Sequence, residues 1–201
     1  TNNINDPSLI NKLEMLSCRY VVTNHGSILS EKIFNTNKSF INVHKGILPF
    51  FRGSSATHWA MLISEQVYGA TAHFMDKGID TGPIIRQKTS EPPLVNTCSQ
   101  IALYESHMVS NVLVEVMVDL HAKRPLNPVA QDMLTGTTYY VMHPILVEIS
   151  MSRQLKNRNI NKCETGQKNW IEKLKNNFKV YFYNSRLEFI SDVEWHEVLR
   201  K

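Results

Sequence analysis

The chain has 201 residues, of which 42% are hydrophobic and 20% are charged, so it is long enough for one sizeable core and is neither disordered nor fibrous. Its 22 lysines and arginines exceed its 18 aspartates and glutamates by four, a positive charge too weak to predict nucleic-acid binding. Three dispersed cysteines, and apolar runs well short of the roughly 18 residues of a membrane span, predict a cytoplasmic protein without a disulfide framework or membrane contact.

Helices and strands alternate along the first part of the chain. Apolar side chains at three- and four-residue steps predict helices, and short β-prone runs bounded by turn residues predict strands. The predicted elements are, in chain order, helix Ser8–Ser17, strand Tyr20–Thr23, helix Ser30–Phe34, strand Phe40–His44, helix Ser54–Ile63, strands Val67–Met75 and Pro83–Lys88, and helix Ser99–His121. This alternation favours a parallel sheet whose functional loops lie beyond the carboxyl ends of its strands.

The sequence changes character after Pro128. Asn169–Phe178 has a helical pattern, and Asp192–Leu199 is typical of a closing helix. Between them, Val180–Tyr183 and Leu187–Ile190 are predicted to pair as a hairpin. We therefore predict a core of residues 1–150 followed by a small α+β appendage of residues 151–201.

Candidate functional residues lie where the glycines are concentrated, since six of the eight fall between residues 26 and 82. Asn42 and His44 are two apart near the end of a predicted strand, so their side chains leave the same face of the sheet. Asp80 lies in a loop, Met75–Gly82, that carries two carboxylates and two glycines. Taken separately, such a strand end or acidic turn is more often structural.

The other histidines show no recurring spacing of metal ligands, so surface or core positions and no metal site are predicted for them. They are His25, His58, His73, His107, His121, His143 and His196.

Three runs together resemble the formyltransferase superfamily, which includes methionyl-tRNA formyltransferase, glycinamide ribonucleotide transformylase and the sugar N-formyltransferases. They are Phe40–Gly53, His58–Ala60 and Gly69–Ile85, in the family's order and spacing. The resemblance extends from about Tyr20 to Gln131. It implies an α/β, Rossmann-like, mostly parallel sheet flanked by helices, and an enzyme that transfers a formyl group from 10-formyltetrahydrofolate to an amine.

The resemblance also implies the roles of individual residues. Asn42, His44 and Asp80 occupy the family's catalytic positions. The segment around Gln131 with Tyr139 and Tyr140 resembles the part that closes the family's core domain. The residues matched to the segments that hold the pterin are Ser27, Ile28, Leu29, Gly46, Ile47, Leu48, Pro49, Met75, Asp76, Lys77, Gly78 and Ile79.

The chain departs from the family's pattern at its beginning. Members usually carry a complete first βαβ unit, roughly sixty further residues, before this point, whereas only about forty residues precede Asn42. That unit is therefore expected to be missing, and the start at Thr1 instead of a methionine suggests a segment upstream.

The acceptor amine is predicted by elimination. The tail is too short for the basic barrel of a tRNA enzyme, a domain of about a hundred residues, and too long for the purine-pathway enzyme. This leaves the amino group of a nucleotide-linked sugar, with methionyl-tRNA as an open alternative. An inactive folate- or partner-binding remnant, stable as a homo-oligomer, is an alternative of a different class.

Overall fold

A computed structural model of the chain describes residues 5–23, 28–63, 67–93, 97–159, 182–183 and 189–190. The chain divides into two compact units, Thr1–Arg158 and Asn159–Lys201. The helices of the first unit are α1 (Pro7–Met15), α2 (Glu31–Phe34), α3 (Ala56–Leu62), α4 (Cys98–His121) and α5 (Pro144–Asn159). Its strands are β1 (Tyr20–Thr23), β2 (Ser39–His44), β3 (Phe51–Gly53), β4 (Tyr68–Phe74), β5 (Ile84–Ser90) and β6 (Thr137–Tyr139). All eight elements predicted before residue 122 are confirmed, within two residues at each boundary.

The main sheet has four strands in the order β1-β2-β4-β5, and it is mixed. Only β1 and β2 are parallel, with α2 in the crossover between them. Strand β4 is antiparallel to both β2 and β5. The expectation of a mostly parallel sheet is therefore corrected for the described strands. Parallel neighbours need a crossover of roughly a dozen residues or more, and residues 75–83 connect β4 to β5 without a helix.

Helix α4 covers one face of this sheet. Its residues Met108, Val109, Val112 and Val116 form one buried cluster with Ile41, Val43, Ala70 and Ala72 of β2 and β4. By length and composition alone, α4 is also apolar enough to cross a membrane, with a mean hydropathy of 1.2. Its buried apolar face is accounted for by packing on the sheet, as in the core helix of a globular domain.

Charged side chains attach the end of α4 to β5. The Asp119 carboxylate is buried and lies 2.5 Å from Arg86 Nη2 and 3.1 Å from Arg124 Nε. A buried carboxylate is tolerated when it is paired and hydrogen-bonded. The pairing with Arg86 thus fixes the helix against the edge of the sheet.

Two elements that the sequence did not indicate form a second, two-stranded sheet. Strand β3 pairs in parallel with β6, and the Phe51, Tyr139 and Trp59 rings stack beside it. The Trp59 indole donates to the Tyr140 carbonyl oxygen. The first unit then continues through α5 past the predicted boundary at residue 150, and it ends at Arg158.

The described part of the second unit is a short antiparallel pair. Strands β7 (Phe182–Tyr183) and β8 (Phe189–Ile190) pair with Phe182 opposite Ile190. This confirms the predicted hairpin pairing. The predicted helices 169–178 and 192–199 lie outside the described residues.

Val112 and Val114 offer a matched test of this packing, because Val112 is fully buried and Val114 is 60% exposed. We expect Val112→Ala to lower the free energy of unfolding by about 2 kcal/mol, since two buried methyl groups are worth roughly 0.8 kcal/mol each and a cavity adds to the loss. Val114→Ala makes the same change in helix propensity and should have little effect. Urea unfolding measures both, and equal losses would contradict the packing of α4.

Candidate active site

The antiparallel pairing of β2 and β4 places polar side chains opposite each other. Asn42 and His44 lie on β2, and His73 of β4 is the cross-strand partner of Asn42. The Asn42 amide Nδ2 lies 3.4 Å from His73 Nε2. His44 and His73 are both buried, whereas Asn42 is partly exposed. The two strands thus bring three polar groups to one place.

Asp80 joins this group from the loop between β4 and β5. Its carboxylate lies between two imidazole rings, with Oδ2 at 3.2 Å from His44 Nδ1 and Oδ1 at 3.3 Å from His73 Nε2. The Gly53 N–H donates to Oδ2 at 2.8 Å. Asp80 itself has a φ of 54°, a left-handed conformation that is uncommon outside glycine. The structure therefore brings the three predicted catalytic residues together and adds His73.

Both ring nitrogens of His44 face acceptors. Nε2 lies 2.6 Å from the Phe51 carbonyl oxygen, and Nδ1 faces the Asp80 carboxylate. Only a doubly protonated ring can donate to both at once. Burial lowers the pKa of His44 below its ordinary value, although the Asp80 charge and the Phe51 carbonyl act in the opposite direction. The two acceptors therefore favour the protonated form of His44, whereas burial favours the neutral form.

Asp80 is stabilised as a carboxylate. Burial by itself would raise its pKa, but the hydrogen bond from His73, the charge of protonated His44 and the Gly53 N–H lower it below the ordinary value. A carboxylate that accepts several such bonds stays ionised near neutral pH. Asp80 can therefore orient both rings and favour the charged form of His44.

The absence of a side chain at Gly46 makes room for the His44 ring. A Cβ atom at this position would lie 2.8 Å from His44 Nε2, 2.9 Å from the Ala56 Cβ and 3.1 Å from the Phe51 carbonyl oxygen. A larger residue would push against the ring and its acceptor at the same time. Gly46 thus contributes to the site through the absence of a side chain.

The residues matched to the pterin segments lie in several environments. Leu29 is buried in a cluster with Ile33 and Phe40 that Met75 packs against, and Ile47 and Leu48 are also buried. The Leu48 N–H donates to Thr71 Oγ1. Thr71 Oγ1 donates in turn to the Gly46 carbonyl oxygen, and Gln87 donates to the Leu48 carbonyl oxygen, so the buried side chains and these internal hydrogen bonds together fix the loop.

The remaining matched residues lie nearer the surface. Ile28 and Ile79 are exposed, and Lys77 pairs with Glu31. Asp76 Oδ1 accepts from the Gly78 N–H and from Thr81 Oγ1. Ser27 lies outside the described residues. In the described part of the chain, no cluster of His, Cys, Asp and Glu side chains is arranged to hold a metal ion.

His73 is the site residue for which the sequence predicted only a surface or core position. The sequence alone does not define its relation to Asn42, because the direction and register of the pairing between β2 and β4 place the two residues opposite each other. The lack of a helix between Phe74 and Ile84 indicates antiparallel pairing of β4 with β5, but β3 and α3 lie between β2 and β4, so no such signal indicated the contact between His73 and Asn42.

Comparison with known proteins places the chain among its relatives. The model of the family described as Formyl transferase matches residues 1–117, more than half of the chain. The chain belongs to the formyltransferase family. It is 32% identical over 134 residues to the methionyl-tRNA formyltransferase of Trichormus variabilis, a match that covers 66% of this chain and 40% of the relative. The enzyme of that name from Desulforamulus reducens is 47% identical over 66 residues, covering 32% of this chain and 21% of the relative.

Solved structures support the same fold for this formyltransferase-family chain. The methionyl-tRNA formyltransferase from Clostridium thermocellum matches with a TM-score of 0.55 and 26% identity, over 68% of this chain and 57% of that one. A sugar N-formyltransferase from Shewanella matches with a TM-score of 0.58 and 17% identity, over 94% and 73%. The formyltransferase-type, Rossmann-like α/β fold is thereby confirmed. The chain spans about 40% of the length of the curated relatives it matches.

The lowered pKa of His44 predicts how acid affects this site. The unfolded ring titrates near its ordinary value of about 6.5, so the stability that His44 contributes is fully present above that pH and is lost as the pH falls through the lower folded value. We expect the free energy of unfolding to fall more steeply below about pH 6.5 in the wild type than in His44→Gln. Urea unfolding at a series of pH values measures this, with His107→Gln as a control for removing an exposed imidazole. An unchanged slope in His44→Gln would contradict the assignment.

Proposed function

We propose that this site transfers a formyl group from 10-formyltetrahydrofolate to a primary amine. The observation that carries the proposal is the Asp80 carboxylate held between His44 and His73, with Asn42 beside His73, in a chain of the formyltransferase family. A formyltransferase from Anoxybacillus kamchatkensis and HypX from Aquifex aeolicus have been solved with tetrahydrofolate or tetrahydrofolic acid. Their likeness supports a folate as the donor.

The first step requires stabilisation of negative charge. The amine nitrogen attacks the formyl carbon, and the carbonyl oxygen becomes the oxyanion of a tetrahedral intermediate. The Asn42 amide can donate to that oxygen, because it is partly exposed, whereas His44 and His73 are buried. Loss of one such donor commonly reduces the rate by about 10²–10³.

The second step moves a proton. The attacking amine loses a proton, and the folate nitrogen gains one as its bond to the formyl carbon breaks. His44 is suited to this transfer, because burial weakens its hold on a proton while Asp80 keeps the ring oriented. General acid and base catalysis of this kind contributes roughly 10²–10⁴ to the rate.

The relatives above 30% identity point to methionyl-tRNA as the acceptor, since the curated proteins that match over most of this chain carry that name. The sugar N-formyltransferases support a nucleotide-linked amino sugar through the fold alone. We therefore place methionyl-tRNA first and the amino sugar second. A cytoplasmic location and a homo-oligomeric state remain predictions.

Formyl transfer to both acceptors, each with 10-formyltetrahydrofolate, tests this order. We expect formyl-methionyl-tRNA to form faster than the formylated sugar nucleotide. Faster formation of the sugar product would reverse the order and leave the formyl-transfer proposal intact.

A folate-binding measurement separates an enzyme from a remnant. We expect 5-formyltetrahydrofolate to give a saturable signal by fluorescence or calorimetric titration, because the matched pterin segments expose the apolar side chains of Ile28 and Ile79, which suit a flat heterocycle. Binding without turnover would support the inactive remnant, and the absence of any saturable signal would contradict both readings. The longest natural form of the chain is the appropriate sample.

Substitution of the three proposed catalytic residues tests the mechanism. We expect Asn42→Ala, His44→Ala and Asp80→Ala each to reduce kcat by at least about 10² without unfolding the protein. The double variant His44→Ala/Asp80→Ala should be little slower than either single variant, because residues that act as a unit give non-additive losses. A thermal melt run beside the assay reports folding.

A purely structural role of Asp80 would give a different result. If it served only as a turn residue, Asp80→Ala would lower the melting temperature and leave the rate per folded molecule nearly intact. Such a result would remove Asp80 from the mechanism.

A further inference from the structure

Gln131 holds the main chain on both sides of Thr81. Its amide Nε2 donates to the Asp80 carbonyl oxygen at 2.8 Å and to the Gly82 carbonyl oxygen at 2.7 Å. Its Oε1 accepts from Arg52 Nε at 3.2 Å. Carbonyl oxygens only accept and a guanidinium only donates, so these three partners determine which end of the amide is which. A carboxylate or an apolar side chain at this position would lose the two donated bonds.

Arg52 fixes the other end of the Gln131 amide. It lies on β3, is 3% exposed, and also donates through Nη2 to the Asp132 carbonyl oxygen at 3.1 Å. Its neighbour Gly53 donates its N–H to the Asp80 carboxylate. Strand β3 therefore reaches Asp80 by two routes, directly at the carboxylate and through Gln131 at the backbone.

The backbone conformation of Asp80 explains why it needs hydrogen bonds both at its carboxylate, from Gly53, and at its backbone carbonyl, from Gln131. A φ of 54° is sparsely populated by residues with a side chain, and such a conformation persists when the surroundings impose it. The Gly82 backbone is also pressed close, since a Cβ there would lie 1.9 Å from the Phe74 carbonyl oxygen. Release of the turn would let the carboxylate leave the two rings.

We propose that Gln131 is a positioning residue for the proposed formyl transfer. Its two backbone hydrogen bonds keep the Asp80 carboxylate between His44 and His73, and Arg52 keeps the amide in the orientation that donates. The catalytic consequence rests on the proposed function, whereas the effect on the two rings follows from the geometry alone.

The test uses the whole chain and measures the titration of the His44 ring directly. Ring signals of His44 are followed by NMR against pH, with His44→Gln to assign them, in the wild type, Gln131→Met, Gln131→Asn and Asp80→Asn. Methionine keeps the length of glutamine without donors, and asparagine keeps the donors but is one methylene shorter. Thr135→Val is the control, because it removes a hydrogen bond of the same segment, to the Asp132 carbonyl, and does not touch Asp80.

The expected result has a defined sign. The groups whose charge acts on His44 are Asp80, His73 and Glu105, and the Asp80 charge raises the pKa of His44. Gln131→Met and Gln131→Asn should therefore lower the pH at which His44 titrates, towards its value in Asp80→Asn. Thr135→Val should titrate as the wild type does.

The activity arm is read separately. In the same variants we expect kcat to fall by up to about 10²-fold with a smaller change in KM, the usual effect of a displaced catalytic group. A wild-type His44 titration in folded Gln131→Met and Gln131→Asn would overturn the positioning role. If one variant does not fold, the other decides. A shifted titration in a chain that shows no formyl transfer would support the positioning role and count against the proposed function instead.

Discussion

The site depends on keeping one carboxylate ionised in a largely buried place. Desolvation disfavours the charged form of Asp80. Two imidazole rings and a backbone N–H, all directed at the carboxylate oxygens, compensate for this cost. An unpaired buried carboxylate would neutralise or pull the loop towards water. The positions of β2, β3 and β4 relative to one another are therefore constrained by what this single group requires.

The mixed sheet is what makes the arrangement possible. Because β4 runs antiparallel to β2, its residue His73 meets Asn42, and the chain leaves β4 on the side where it must turn back as the Asp80 loop. A β5 parallel to β4 would have needed a longer crossover in place of that loop. Topology and chemistry are thus coupled: the antiparallel pairing of β4 with β2 places His73 in the site, and the turn from β4 into the antiparallel β5 places Asp80 there.

The sequence predicted regular elements well and irregular ones poorly. Helix α4 and strand β2 carry long or strongly patterned apolar runs, which local preferences alone identify. Strand β3 has three residues and owes its conformation to β6, more than eighty positions later, so no local pattern could indicate it. The two-residue spacing of Asn42 and His44 predicted that their side chains lie on the same face of the sheet. The placement of Asp80 beside His44 was predicted only from the family resemblance. Its left-handed backbone arises from tertiary contacts that a local reading does not contain.

The pairing of β3 with β6 shows that the contacts supporting the site extend further along the chain than the match to the family model. The match to the family model ends at residue 117, inside α4, yet Gln131 supports the Asp80 backbone and Tyr139 stacks on Phe51. The carbonyl oxygen of Phe51 in turn faces His44. The part of the chain that must be inherited together is therefore longer than the part that the family model covers. Recombination between residues 117 and 131 would keep Asn42, His44 and Asp80 and still separate them from Gln131 and β6.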